Sequence, residues 1–109
     1  MSEKLIIAVD AQIAALVPRF LDNRAADVDK IRAALARGDF EAVRVAAHGM
    51  KGAGGAYGFP EISRLGAEME ESVRRRDAAA ITSLAARLEA YLARIEIKSD
   101  DGQRAPHSG

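Results

Sequence analysis

The residues with chemistry to offer are concentrated in His48-Gly49-Met50-Lys51-Gly52-Ala53-Gly54-Gly55-Ala56-Tyr57-Gly58. Five glycines fall in the ten residues after the histidine. Glycine inside a helix costs about 0.5–1 kcal/mol relative to alanine. Several of them together give up roughly 2–4 kcal/mol, a large part of a domain's net stability of about 5–15 kcal/mol. Alanine is used freely elsewhere in the chain, so the glycines call for a reason. Either a helix ends here, or something approaches its backbone closely, or both.

At about 100° per residue, Phe40, Val43, Ala47, Met50 and Tyr57 share one apolar sector. His48 falls roughly 140° from the centre of that sector, so its imidazole is expected in solvent. Arg44 at i−4, Lys51 at i+3, Gly52 at i+4 and Gly55 at i+7 share its face. No carboxylate of the same helix is obviously placed to pair with the ring, and Glu41 stands two turns back. One histidine without cysteine or a second ligand at helical spacing argues against a metal site. No nucleophile-elbow pattern supports a serine hydrolase. The lysine precedes the glycines rather than following them, unlike a P-loop. Nucleophilic chemistry by the imidazole itself fits better. A histidine titrates near 6.5, so a neutral ring is available at cellular pH. The neighbouring cations would stabilise the oxygens of an arriving phosphoryl group, and the glycines would admit a partner's own site. Composition alone leaves a plain surface histidine on a glycine-rich helix end equally open.

Four amphipathic helices must position these residues. Residues 1–17 read as an N-terminal arm that packs on the domain. Within it, Leu5 to Val9 could be extended and Ala11 to Val17 could form a short helix. The first strong helix follows Pro18, with Val17, Leu21, Val28, Ile31 and Leu35 in one stripe and Phe20 beside them. Gly38 ends it. Asp39 reads as the N-cap of the second helix, with Glu41 in its first turn. That helix is expected to fade in the glycine-rich stretch up to Gly58, and Pro60 restarts the chain. Ile62, Leu65, Met69 and Val73 form the third stripe, closed by Arg74, Arg75 and Arg76. An isolated basic triplet at a helix end complements the helix dipole better than it argues for nucleic acid. Asp77 reads as the next N-cap, followed by Ile81, Leu84, Leu88, Tyr91 or Leu92, and Ile95. From Lys98 the composition turns polar and small, so 98–109 reads as a disordered tail. With short connections, residues 18–97 predict an all-α domain, an antiparallel up-down-up-down four-helix bundle.

Composition agrees with one small globular domain. The chain has 109 residues, 49% hydrophobic and 29% charged. Sixteen Lys and Arg cancel sixteen Asp and Glu, which disfavours nucleic acid, since phosphate neutralisation normally needs a basic excess. The absence of cysteine excludes disulfides and thiol chemistry. No apolar run approaches the roughly 18 residues that span a bilayer, and Leu5 to Val9 is too short for a signal peptide. A cytoplasmic location, without membrane contact, is the expectation.

Ala47-His48-Gly49-Met50-Lys51-Gly52, continuing to Tyr57-Gly58, resembles the signature of histidine-containing phosphotransfer (HPt) domains, H-x-[LM]-K-G followed by small residues and a second glycine. Pro18-Arg19-Phe20-Leu21, the Gly38-Asp39-Phe40 turn and the four-stripe layout are similar to that family too, so the resemblance covers nearly the whole chain. It implies that His48 is the phosphoacceptor of a bacterial phosphorelay. The phosphoryl group would come from an aspartate on one receiver domain, of a response regulator or a hybrid histidine kinase, and pass to an aspartate on another. Lys51 would stabilise the phosphoryl oxygens and Gly52 would leave room for the receiver. Arg44, Gly55 and Arg74 would join the docking face, formed by helices two and three. Family members often carry a glutamine that hydrogen-bonds the imidazole from the next helix. Glu70 stands near that place here, where a carboxylate could orient the ring by accepting its N–H but would repel phosphate. The chain would be a stand-alone, monomeric carrier without kinase activity. It would hold no cofactor, since the Mg²⁺ belongs to the receiver. The alternative function is a helical adaptor or inhibitor that binds a receiver or kinase without being phosphorylated.

Overall fold

The computed structural model describes residues 4–99 and 104–106. Four helices carry the fold: α1 Val17–Ala36, α2 Phe40–Ala56, α3 Pro60–Arg74 and α4 Ala78–Arg94. A single turn of 3₁₀ helix, Ala14–Leu16, leads into α1. Three short strands flank the bundle: β1 Leu5–Val9, β2 Ile95–Ser99 and β3 Arg104–Pro106.

The three helix connections share one construction. Each of the first three helices is followed, two residues on, by a residue with positive φ: Gly38 (+72°), Gly58 (+84°) and Arg76 (+51°). In each case the next residue's N–H reaches back to the last turn: Asp39 to the Ala34 carbonyl (2.8 Å), Phe59 to Gly54 (2.7 Å) and Asp77 to Ser72 (2.9 Å). These are Schellman closures. The residue that completes each closure is also the N-cap of the following helix. Asp39 accepts from the Ala42 N–H and Asp77 from the Ala80 N–H, both at 3.0 Å, while Phe59 precedes Pro60 in the first turn of α3. A reversal therefore takes only three residues, and consecutive helices must be antiparallel neighbours.

Contacts between elements bear this out. Phe20 near the start of α1 stacks on Tyr57 and Phe59 at the end of α2. Arg76 after α3 lies over the ring of Phe40 at the start of α2. Arg32 on α1 pairs with Glu89 on α4, which closes the ring of four. The interior is one core, with Leu21, Ile31, Met50, Phe59, Leu65 and Leu88 among its fully buried side chains. The domain is the all-α four-helix bundle that the stripes predict.

The flanks meet expectation only in part. The arm is extended at Leu5–Val9 and pairs in parallel with β2, Leu5 opposite Ile95 and Val9 opposite Ser99. Its second part forms only the 3₁₀ turn, and α1 begins at Val17. Ile95, grouped above with the fourth stripe, is the buried first residue of β2. Lys98 and Ser99 belong to β2, and Arg104–Pro106 pairs antiparallel with it, so the segment read as a disordered tail is in part strand. The rest of that tail, with His107, lies outside the described residues.

Candidate functional site

The helix that carries the histidine does not fade. α2 runs unbroken through Gly49, Gly52, Gly54 and Gly55 to Ala56, so of the two reasons weighed for the glycines, a helix end accounts for Gly58 alone. Close approach accounts for Gly54. A Cβ there would lie 2.6 Å from the Ser63 backbone nitrogen and 2.9 Å from the Phe59 carbonyl. Opposite, a Cβ on Gly66 of α3 would lie 2.7 Å from both the Ala47 carbonyl and the Lys51 nitrogen. These two glycines let α2 and α3 pack backbone to backbone. The Ser63 hydroxyl donates to the Lys51 carbonyl at 2.6 Å and ties the helices together at this level. Gly49 and Gly52 differ: a Cβ on either would meet nothing within 4 Å. Gly55 is intermediate, with only the Ser63 Oγ at 3.7 Å.

The tight α2–α3 contact brings His48 and Lys51 of α2 against Glu70 of α3. His48 stands in solvent, its side chain 70% exposed, as the helical wheel requires. Its Nδ1 lies 3.1 Å from Glu70 Oε2, and the Lys51 ammonium lies 3.4 Å from the other carboxylate oxygen. Glu70 itself is only 9% exposed. Burial pushes its carboxyl up, but the hydrogen bonds from His48 and Lys51 and the charge of Lys51 outweigh that and hold it below the usual carboxylate range. An ionised carboxylate can only accept. The hydrogen of the neutral ring is therefore on Nδ1, and the lone pair is on Nε2.

The remaining residues singled out from sequence are placed around this cluster. Arg44 sits one turn before His48 and donates to Glu41 through Nε (2.9 Å) and Nη2 (2.6 Å). Arg74, one turn beyond Glu70, is paired with Glu71 and does not join the His48–Glu70–Lys51 cluster. Sequence reasoning missed Gly66 and Ser63, which set the α2–α3 spacing. It also missed Val45, an apolar side chain 58% exposed at i−3 from the histidine. Val45 and Gly49 line a groove of about 550 Å³ between α1 and α2, rimmed by Lys30 and Arg37. Its signal was a valine off the apolar sector of α2. Among the described residues, no group of three His, Asp or Glu could hold a metal ion, and no helix is long and apolar enough to cross a membrane.

A buried carboxylate that fixes one nitrogen of an exposed imidazole, with a cation beside it, suits a nucleophile that receives an anionic group. Comparison with known proteins points the same way. The family model described as "Hpt domain" matches residues 15–100. No curated protein and no solved structure matches the chain significantly. A match over most of the chain, on a four-helix bundle with this site, places the protein in the Hpt domain family, whose members are phosphocarriers rather than kinases in two-component signalling.

Proposed function

We propose that this chain is a phosphorelay carrier in its own right, accepting a phosphoryl group on His48 Nε2 from a receiver-domain aspartate and passing it to another receiver. The observation that carries this reading is the Nδ1 contact with Glu70 at 3.1 Å on a ring that is otherwise open to solvent. In the transfer step the Nε2 lone pair attacks phosphorus. The bond from phosphorus to the aspartyl oxygen breaks, and its electron pair returns to that carboxylate. No proton moves: the ring keeps its Nδ1 hydrogen and becomes a phosphorylated imidazolium. Glu70, which touches the ring, offsets its positive charge, and Lys51, one turn on and paired with the same carboxylate, would meet the phosphoryl oxygens. The step is reversible, so partner concentrations would set its direction. The magnesium and acidic pocket belong to the receiver. Gly49 and Gly52 support docking on this face, because among the described residues nothing lies within 4 Å of a Cβ at either position. Exposed Val45 extends the apolar part of that surface toward α1.

The test mixes the protein with a labelled phospho-receiver and Mg²⁺, beside the His48→Gln variant. Acid-labile, base-stable label on the wild type alone is the expected result. Binding without label, across a panel of receivers, would overturn the carrier reading in favour of an adaptor.

A further inference from the structure

A phosphoryl group on Nε2 would be dianionic near neutral pH, with three acceptor oxygens. One cation nearby, Lys51, already faces Glu70. A second stands one turn toward the helix N-terminus. Side chains on a helix lean in that direction, so the His48 ring leans over the turn that holds Arg44. Residues four apart on a helix are neighbours, and a guanidinium on its long stem spans that gap. Arg44 also feels the charge of Glu70, the carboxylate that touches the ring. At rest, Arg44 is drawn the other way, into a two-point pair with Glu41.

Resting on the carrier reading, we infer that Arg44 is a switchable counter-ion of the site, held back by Glu41 and released to a phosphoryl group on or approaching His48. The exchange is cheap. Arg44 and Glu41 are exposed, 47% and 69% at the side chain, and exposed pairs of this kind are weak. Glu41 keeps a favourable place when Arg44 leaves, since it lies in the first turn of α2 at the positive end of the helix dipole. A dianion with three oxygens competes well against one carboxylate for a planar, forked donor. Four charged groups then govern the site: Glu70 holds the ring and Lys51 pairs with Glu70, while Glu41 and Arg44 set how strongly the site attracts phosphate.

Phosphoramidate, a small anionic phosphodonor, isolates this effect from receiver docking. The Nε2 lone pair attacks its phosphorus, the phosphorus–nitrogen bond breaks, and the protonated nitrogen departs as ammonia. At low salt, Arg44→Ala is expected to slow labelling of His48 about two- to fivefold, the range of an exposed ion pair. Arg44→Lys should recover much of the rate. Glu41→Gln should raise the rate by a similar factor, because it frees Arg44. In 1 M salt, where charges are screened beyond about 3 Å, the variants should converge on the wild type. Equal rates for wild type and Arg44→Ala at low salt would overturn the inference. A Glu41→Gln variant slowed like Arg44→Ala would do the same, as would a difference that persists at 1 M salt, which would mark a structural role. Failure of the wild type to label at all is a separate outcome, and it would remove the nucleophilic ring and the carrier reading with it.

Discussion

Replacing Gly66 with alanine should damage the protein, although alanine is the better helix former. A Cβ at this position would stand 2.7 Å from the Ala47 carbonyl oxygen and from the Lys51 nitrogen. Ordinary contact begins at 3.4 Å, so α2 and α3 must part locally by about 0.7 Å (3.4 less 2.7). Both obstacles are backbone of a facing helix, and no rotamer change relieves them. Overpacking of this kind costs roughly 1–3 kcal/mol, here toward the upper end because two rigid groups are struck at once. Helix propensity returns about 1 kcal/mol. The net loss is therefore about 2 kcal/mol, or a melting temperature lower by roughly 8 °C for a domain of this size. The matched control is Gly52→Ala, whose Cβ meets nothing within 4 Å. It should gain up to about 1 kcal/mol and melt a few degrees higher. Thermal unfolding followed by circular dichroism at 222 nm reads both. Gly66→Ala melting at or above the wild type would refute the argument that backbone contact sets the helix spacing. Glu70 lies one turn from Gly66, so the same variant should also part Glu70 from His48 and slow phosphoryl acceptance.

Three further outcomes are expected. Gly52→Gln should be at least as stable as the wild type, since glutamine is also a better helix former than glycine, but should slow transfer from a receiver by blocking its approach; undiminished transfer would remove the docking role of that glycine. Glu70 contributes stability that is fully present above the ordinary carboxylate range, because its folded carboxyl is held below that range. As pH falls through the ordinary value, near 4.3, and then through the lower folded value, that contribution is lost. The wild type should therefore lose its stability advantage over Glu70→Gln in acid, as read by urea unfolding at a series of pH values, and an advantage that grows in acid would contradict the sign. Asp77→Ala should cost about 1 kcal/mol by removing the acceptor of the Ala80 N–H, a loss of roughly 4 °C in melting temperature.

The exposed position of His48 was legible because a helical stripe is a local property: Val43, Ala47 and Met50 are fully buried and the histidine opposite them is not. The caps at Asp39 and Asp77 and the closing glycine at Gly38 were legible for the same reason. The partner of the imidazole was not, from residues alone, since Glu70 stands 22 positions away and only the resemblance suggested it. The division of the glycine cluster was also hidden. Gly54 serves α3 while Gly49 and Gly52 face open space, and no local pattern separates glycines that meet a neighbour from those that await one. Ile95 was misplaced because a spacing of three or four from Leu92 or Tyr91 continues a helical stripe. The alternation of apolar and polar residues in Ile95-Glu96-Ile97-Lys98 is the strand signal that the stripe masked.

The parallel pairing of β1 with β2 has a consequence for the order in which the chain folds. Leu5 meets Ile95, so this ladder closes nearly the whole polypeptide into one loop. Three-residue reversals let each helix meet its neighbour with little search, whereas the ladder bears the largest chain-closure entropy in the molecule. The helices can assemble without the strands, but β1 has no partner until α4 has docked beside α1 and brought β2 to it. The amides of Leu5 to Val9 should therefore gain hydrogen-exchange protection last during refolding and lose it first near the melting point.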